Sequence, residues 1–99
     1  MAVRVVPGPE AELDIGEACV WYETRRVGLG EESLTSVDAC IERIRRHPVI
    51  YPVVHEAYRR ALLRRFPYAI FFEYEGATAK VYAVFHTSRD PEKWRQRLP

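Results

Sequence analysis

The sequence predicts a single α+β domain over residues 1–99, in which an antiparallel helical hairpin packs on one face of an antiparallel sheet. Three observations support this prediction. Ninety-nine residues suffice for one hydrophobic core. Apolar residues recur at helical spacing in the first half of the chain and alternate with polar residues at strand spacing in the second half. A short helical pattern then ends the chain.

The first predicted elements are a short strand and a helix. Residues 3–6 are a β-type run, and a Pro-Gly-Pro sequence at residues 7–9 ends it. Pro9 fits the first turn of a helix, and the acidic residues that follow favour the positive end of the helix dipole. One apolar face extends this helix to about Arg26 and consists of Ala11, Ile15, Ala18, Cys19 and Tyr22.

A second helix follows after a short link that contains Gly28 and Gly30. Its acidic residues come early and its arginines late, as the helix dipole prefers. Pro48 ends it, and the shortness of the link predicts an antiparallel helical hairpin. Residues 47–56, interrupted by prolines, are expected to form a connector against the core. The predicted buried face of the second helix comprises Leu34, Val37, Ile41 and Ile44.

Three strands are predicted next, over residues 58–66, 68–75 and 79–86. The last two are joined by a short link containing Gly76, which predicts an antiparallel hairpin. In the last strand, strict alternation would place Ala79, Val81, Ala83 and Phe85 on one face. Asp90 and Pro91 then begin a short terminal helix that carries Trp94.

Charge is distributed unevenly along the chain. The net charge is +1. Residues 1–50 hold six Arg against nine Asp and Glu, whereas residues 51–99 hold nine Lys and Arg against five Asp and Glu. Arg64 and Arg65 directly precede the most aromatic strand, where they are either solvated edge charges or contacts to an anionic molecule. The polarity favours an acidic protein or a nucleic acid as the partner of the second half.

Composition argues against several classes of protein. The apolar runs are too short to cross a bilayer, and the first fourteen residues lack the pattern of a signal peptide. Cys19 and Cys40 have no metal-ligand spacing, so we expect reduced thiols in a cytoplasmic protein rather than a disulfide. No phosphate-binding glycine loop or metal motif is present. We therefore expect neither a metal nor another cofactor.

The ordered set of segments resembles the RelE/ParE superfamily of small bacterial toxins. The resemblance covers nearly the whole chain and includes PEAELDIGEACVWYETR, GLGEES and IRRHPVIYP. Its most specific part is RRFPYAIFFEYEG followed by VYAVFHTSRDPEKWRQR. It implies a toxin of a type II toxin–antitoxin module, neutralised by a cognate antitoxin that wraps around it. ParE-like members are linked to DNA gyrase, whereas RelE-like members cut mRNA on the ribosome.

The two branches imply different roles for the same residues. Cleavage of RNA without metal needs a base, cations for the phosphate and an acid for the leaving oxygen. The candidates for this nuclease alternative are His86, Arg64, Arg65 and Arg89. The chain departs from the RelE-like pattern because its only lysines are Lys80 and Lys93 and because it lacks an aromatic residue at its end. The sequence therefore favours the ParE-like branch, which acts by binding.

For the binding hypothesis, the candidate contacts to a target or partner are Arg59, Arg60, Tyr68, Trp94, Arg95 and Arg97. Alternatives remain open at three positions. Tyr68 packs in the core or on a partner, since stacking on a base requires an exposed ring. Trp94 anchors the terminal helix or binds a target, and His86 is a catalytic residue or a hydrogen-bonded residue at a strand end. The sequence also leaves open whether the free protein forms a homodimer.

Overall fold

The computed structural model describes residues 3–99 and confirms the α+β architecture. Over this range a five-stranded sheet has the strand order β1-β5-β4-β3-β2. The helical hairpin covers one face of the sheet, and the terminal helix lies on the other. The elements are β1 (Arg4–Pro7), α1 (Pro9–Arg25), α2 (Leu29–Arg46), a 3₁₀ turn (Pro48–Ile50), β2 (Val53–His55), β3 (Tyr58–Leu62), β4 (Tyr68–Glu75), β5 (Thr78–His86) and α3 (Pro91–Arg97).

The sheet is mixed rather than antiparallel throughout. Strands β2, β3, β4 and β5 are antiparallel neighbours, as predicted for the last three of them. Strand β1 joins the free edge of β5 in parallel, with Arg4 opposite Thr78 and Pro7 opposite Val81. Hydrophobic alternation identifies a strand but not the direction of its neighbour, so the sequence did not indicate this parallel pair.

The helical hairpin packs closely because a glycine lies where the two helices meet. A Cβ added to Gly30 would lie 2.7 Å from the carbonyl oxygen of Cys19 in α1. The link takes a left-handed conformation at Gly28, whose φ is 90°. Leu34, predicted to be buried, is exposed. The face of α2 that packs inward is rotated slightly from the predicted one and includes Val37, Cys40 and Ile44.

A β-bulge changes which side chains of β5 face the helices. Phe71 of β4 lies opposite Ala83, but the next residue, Phe72, lies opposite Val81. Tyr82 is therefore an extra residue in β5, and strict alternation fails there. Before the bulge, Ala79 and Val81 face the hairpin; after it, Val84 does, while Ala83 and Phe85 face the opposite side. The prediction of one shared face for Ala79, Val81, Ala83 and Phe85 was wrong for this reason.

The terminal helix builds a second hydrophobic cluster on the face of the sheet opposite the hairpin. The Trp94 indole stacks on the Phe71 ring, with centroids 4.6 Å apart and planes at 21°. The Tyr58 hydroxyl donates a hydrogen bond of 2.7 Å to the Pro99 carbonyl oxygen. Both faces of the central strands are consequently covered, which explains why β4 has consecutive buried residues.

The strand predicted over residues 58–66 is shorter than expected. Strand β3 ends at Leu62, and a turn carries the chain into β4. Within this turn Arg65 has a φ of 73°, in the left-handed region that few side chains adopt. Pro67 cannot donate a ladder hydrogen bond, which limits how far the strand pairing extends. Arg64 and Arg65 thus lie on a turn rather than on a strand.

Candidate functional site

The largest concentration of candidate residues lies in a cleft of about 410 Å³ between α1 and the end of β5. Tyr68 begins β4 and His86 ends β5, and the two residues are paired across the sheet. Their rings meet edge to face with centroids 5.2 Å apart. The structure therefore brings together three of the candidate residues, Tyr68, His86 and Arg89, in one cleft.

The imidazole of His86 is fixed by the residue two positions later. The Ser88 backbone N–H donates a hydrogen bond of 3.0 Å to His86 Nδ1, and Ser88 Oγ lies 2.7 Å from the same nitrogen. Because Nδ1 accepts a hydrogen bond, the neutral ring carries its proton on Nε2. His86 is thus a hydrogen-bonded residue at a strand end, and Nε2 is the nitrogen from which its neutral ring can donate.

The charges around the cleft are of both signs. Arg89 is exposed, lies over the Phe85 ring at 4.9 Å and makes no ion pair with any residue between 3 and 99. Asp14 and Glu17 line the opposite wall, on α1. Because Asp14 is paired with Arg97, a phosphate bound in the cleft would meet the carboxylate of Glu17 as well as the single arginine, which weakens its binding.

Partial burial sets the ionisation of Tyr68. Burial raises the pKa of its phenol above the ordinary value of 10.0. Arg89 opposes this increase in the pKa, and Glu17 adds to it. The phenol is consequently neutral at physiological pH and can donate or accept a hydrogen bond in the cleft.

Arg64 and Arg65 lie at the same end of the sheet but outside the cleft. The Thr87 N–H donates to the Pro67 carbonyl oxygen at 2.8 Å, which joins the turn to the end of β5. Arg65 Nη2 lies 2.7 Å from Glu32 Oε1 of α2. The side chain of Arg64 makes no ion pair within residues 3–99, whereas its carbonyl oxygen accepts a 2.8 Å hydrogen bond from Ser36 Oγ.

Arg59 and Arg60 are separated from the cleft by β4, because they lie on β3. Arg59 Nη1 donates to the carbonyl oxygens of Tyr51, at 2.7 Å, and Val49, at 3.3 Å. It therefore holds the connector against the sheet. Arg60 and the exposed Arg95 of α3 remain candidate contacts, although the structure does not bring them to the cleft.

Two residues predicted as partner contacts instead make contacts within the chain. Trp94 is buried against Phe71, so the structure supports its alternative role as an anchor of α3. Arg97 is paired with Asp14, and its side chain is only 25% exposed. The sequence suggested surface roles because Trp and Arg are common in contact sites, but it did not show which charges the fold would bring against them.

Sequence reasoning missed the wall of the cleft that α1 contributes. Asp14, Glu17 and Trp21 come from this helix, and Ser88 comes from the turn after β5. A signal for Asp14 was present, because this charged residue is directly adjacent to the predicted apolar face that includes Ala11, Ile15 and Ala18. A charge at such a boundary indicates a buried or half-buried ion pair.

Comparison with known proteins gives a structural match. No protein-family model and no curated protein match the sequence. Eleven chains of solved structures do match. One of them comes from a structure described as the chromosomal ParDE TA system of P. aeruginosa, with a TM-score of 0.65 and 15% identity over 88% of this chain and 98% of that chain. The chain therefore shares its fold with a chain of that ParDE system.

Two further observations concern the described part of the chain. None of the helices within residues 3–99 has the length and apolar content needed to cross a membrane. The same residues contain no group of three or more His, Cys, Asp or Glu side chains arranged to hold a metal ion. Both cysteines are free thiols, and burial raises the pKa of the Cys40 thiol above its usual value.

Proposed function

We propose that the protein is the toxin of a type II toxin–antitoxin module, which inhibits growth in the cytoplasm by binding a macromolecule and is neutralised by a cognate antitoxin. The observation that carries the proposal is the fold, which matches 98% of a chain from a ParDE toxin–antitoxin system. A 15% identity leaves the surfaces free to differ, so the fold by itself supports the class of module rather than its target.

The distribution of the candidate catalytic residues supports binding rather than RNA cleavage. His86 and Arg89 share a cleft, but Arg64 and Arg65 lie outside it, and Arg65 is paired with Glu32. Cleavage of RNA without metal requires several cations around one phosphate. Here Arg89 is the single arginine that lines the cleft, and the opposite wall carries Glu17, for which the described residues supply no ion-pair partner.

The exposed arginines supply a binding surface for an anionic partner. Arg64, Arg89 and Arg95 are exposed, and none of them forms an ion pair with residues 3–99. Arg64 and Arg89 occupy the same end of the sheet, because the turn before β4 is hydrogen-bonded to the residue after β5. An acidic antitoxin segment that covers this end would neutralise the toxin by occupying the same charges. DNA gyrase is the target that we infer.

Expression in a bacterial host tests the proposal. The protein produced alone should stop growth, and the small protein encoded beside it should restore growth when both are produced. Gyrase-linked DNA breaks in the arrested cells are the expected outcome for binding to gyrase. Normal growth at a verified level of folded protein would refute the toxin assignment.

The nuclease alternative has one observation in its favour, because His86 is oriented by Ser88 in the cleft that contains Arg89. Mapping of 5′ ends in total RNA from arrested cells distinguishes the two mechanisms. New ends within translated mRNA, absent for His86→Ala, would establish cleavage and replace the proposal of binding. Unchanged RNA ends together with growth arrest would support binding.

A further inference from the structure

The outer face of α1 carries an apolar groove that nothing in residues 3–99 covers. Leu13 and Val20 are 66% and 65% exposed, and their spacing of seven residues places them on one face of the helix, two turns apart. Gly16 lies between them without a side chain, and the three residues line an open groove of about 670 Å³. The opposite face of α1 packs on α2 and the sheet through Ala11 and Tyr22. Folding of the chain therefore does not explain the apolar outer face.

Helix α1 also carries five carboxylates against one arginine, and three of the five have partners within the chain. Glu10 and Asp14 lie against Arg97, at 2.6 Å and 2.9 Å. Glu23 accepts hydrogen bonds of 3.0 Å and 2.9 Å from backbone N–H groups of the link and the start of α2. Contacts within the fold thus account for these three side chains.

The other two carboxylates, Glu12 and Glu17, both line the groove. They are exposed, and neither forms an ion pair with any residue between 3 and 99. Glu17 follows Leu13 by four residues and precedes Val20 by three, so it lies beside both apolar side chains. Glu12 lies on the other side of the groove. An apolar surface flanked by two carboxylates without internal partners is complementary to a segment that is both apolar and basic.

Trp21 forms the border between this groove and the cleft that contains His86, since Trp21 and Glu17 line both. Its ring is 48% exposed and meets the Tyr22 ring edge to face at 4.9 Å. The Arg25 guanidinium carbon lies 4.3 Å from its centroid, which keeps the one arginine of α1 outside the set of residues that line the groove. These contacts reduce the conformational entropy that the indole would lose on binding.

We propose that the outer face of α1 binds an amphipathic helix of a partner protein, whose apolar stripe occupies the groove and whose lysine or arginine side chains pair with Glu12 and Glu17. A groove that follows a helix and lacks a side chain at Gly16 can accept a ridge of side chains from a second helix. A second copy of α1 would bring its own excess of carboxylates against this face, which disfavours self-association. The inference is independent of the proposed toxin function.

Binding of two synthetic peptides tests this inference. Each has about 18 residues, which as a helix matches the length of α1, and an identical leucine stripe. The residues that flank the stripe are lysines in one peptide and glutamines in the other. Fluorescence anisotropy of the labelled peptides, titrated with the full chain, should show at least about tenfold tighter binding of the lysine peptide at low salt. A net charge of only +1 gives the chain no general attraction for a cationic peptide.

Substitutions at exposed positions locate the binding site. Glu17→Gln should weaken binding of the lysine peptide about fivefold and leave the glutamine peptide unaffected. Leu13→Ser should weaken binding of both peptides about tenfold, because it removes apolar surface that both would cover. Glu75→Gln makes the same change in charge as Glu17→Gln at an exposed residue that ends β4, so it is the matched control and should bind as the wild type does. Circular dichroism confirms that each variant is folded.

Three outcomes would overturn the proposal. Equal affinities for the two peptides would show that Glu12 and Glu17 do not select a basic partner. Unchanged binding of the lysine peptide to Leu13→Ser would place its site elsewhere on the chain. Sedimentation velocity of the chain alone gives the third outcome, because self-association that Leu13→Ser abolishes would assign this face to a second copy.

Discussion

Arg97, in the last turn of α3, donates two hydrogen bonds to Asp14 of α1. The distances are 3.2 Å from Nη1 to Oδ1 and 2.9 Å from Nη2 to Oδ2. Asp14 Oδ2 also accepts a 3.0 Å hydrogen bond from the Val84 backbone N–H of β5. Because β1 pairs with β5 only as far as Val81, this amide lies beyond the parallel pairing. One carboxylate therefore joins α1, β5 and α3.

Asp14→Asn should destabilise the fold by about 2 kcal/mol, because it removes the charge that Arg97 needs while the guanidinium stays largely inside. The side chains of Asp14 and Arg97 are 11% and 25% exposed, so solvent replaces little of the lost interaction. Denaturant unfolding followed by circular dichroism measures the change in the free energy of unfolding.

Glu10→Gln is the matched control for that experiment. Glu10 Oε2 also lies close to Arg97, at 2.6 Å from Nε, but its side chain is 68% exposed. An exposed ion pair contributes about 0.5 kcal/mol or less, so this variant should stay near the wild type. Equal losses for Glu10→Gln and Asp14→Asn would contradict the central role assigned to Asp14.

Two glycine substitutions should shift stability in opposite directions. Gly30→Ala should destabilise the hairpin by about 1–3 kcal/mol, because the new Cβ would lie 2.7 Å from the Cys19 carbonyl oxygen and the helices would have to separate. Gly16→Ala should stabilise the chain by about 0.5–1 kcal/mol, since the site is open and alanine favours a helix. Thermal unfolding at low protein concentration compares the two, and a stabilising Gly30→Ala would refute the close approach of the helices.

The folded protein should become less stable in acid, because protonation of Glu42 weakens its ion pairs. Hydrogen bonds from Arg45 and Arg46 lower the pKa of Glu42 from 4.5 to about 2. Because the pKa of Glu42 is lower in the folded state than in the unfolded state, its ionised form stabilises the fold. This stabilisation is complete above pH 4.5 and is lost as the pH falls from 4.5 towards 2. Glu42→Gln should therefore reduce the dependence of the urea midpoint on pH within that window.

The difference between wild type and Glu42→Gln isolates this group from other carboxylates, such as Glu32, whose pKa is also lowered, chiefly by a hydrogen bond from Arg65. Glu42 and its partners are exposed, so high salt should diminish the difference. Parallel pH profiles for the two proteins at low salt would show that the paired carboxylate does not contribute to stability.

The helices and strands were predictable because their side-chain periods are local properties of the chain. Tyr22 and Val37 fall on the expected helix faces, and β4 and β5 form the expected hairpin. The bulge at Tyr82 was not predictable, because the residue types of the strand do not indicate which residue is left out of the pairing. Beyond that residue, the side chains that would have faced the helices face the other side of the sheet. The parallel pairing of β1 likewise depends on contacts distant in sequence.

The candidate site was predictable only in part, for the same reason. Tyr68 and His86 lie near each other because they are at the same end of one hairpin, although the bulge at Tyr82 makes His86 rather than Phe85 the residue opposite Tyr68. Arg97 was predicted as a surface contact, but its partner Asp14 is separated from it by most of the chain. The position of Asp14 beside an apolar helix face indicates a paired charge, but no local pattern identifies Arg97 as its partner. Charges that meet across elements are set by the tertiary fold, which the periodicity of one element does not reveal.

The arginines at the end of the sheet should determine growth inhibition. Under the proposed binding mechanism, Arg64→Glu and Arg89→Glu should each weaken target binding about tenfold or more, because a repulsive charge replaces an attractive one at an exposed contact. Arg4→Glu makes the same change in net charge at the opposite end of β5, where Arg4 lies beside Thr78, and should leave toxicity unchanged. Growth curves at matched protein levels give the ranking.

His86→Ala completes this set, because it separates binding from chemistry at the same end of the sheet. A binding toxin keeps most of its activity when this imidazole is removed, whereas a nuclease that depends on His86 for proton transfer loses at least about a hundredfold. We expect His86→Ala to arrest growth and Arg64→Glu and Arg89→Glu to allow growth. If Arg4→Glu reduces toxicity as much as Arg89→Glu does, net charge rather than this surface governs the effect, and the location assigned to target binding is wrong.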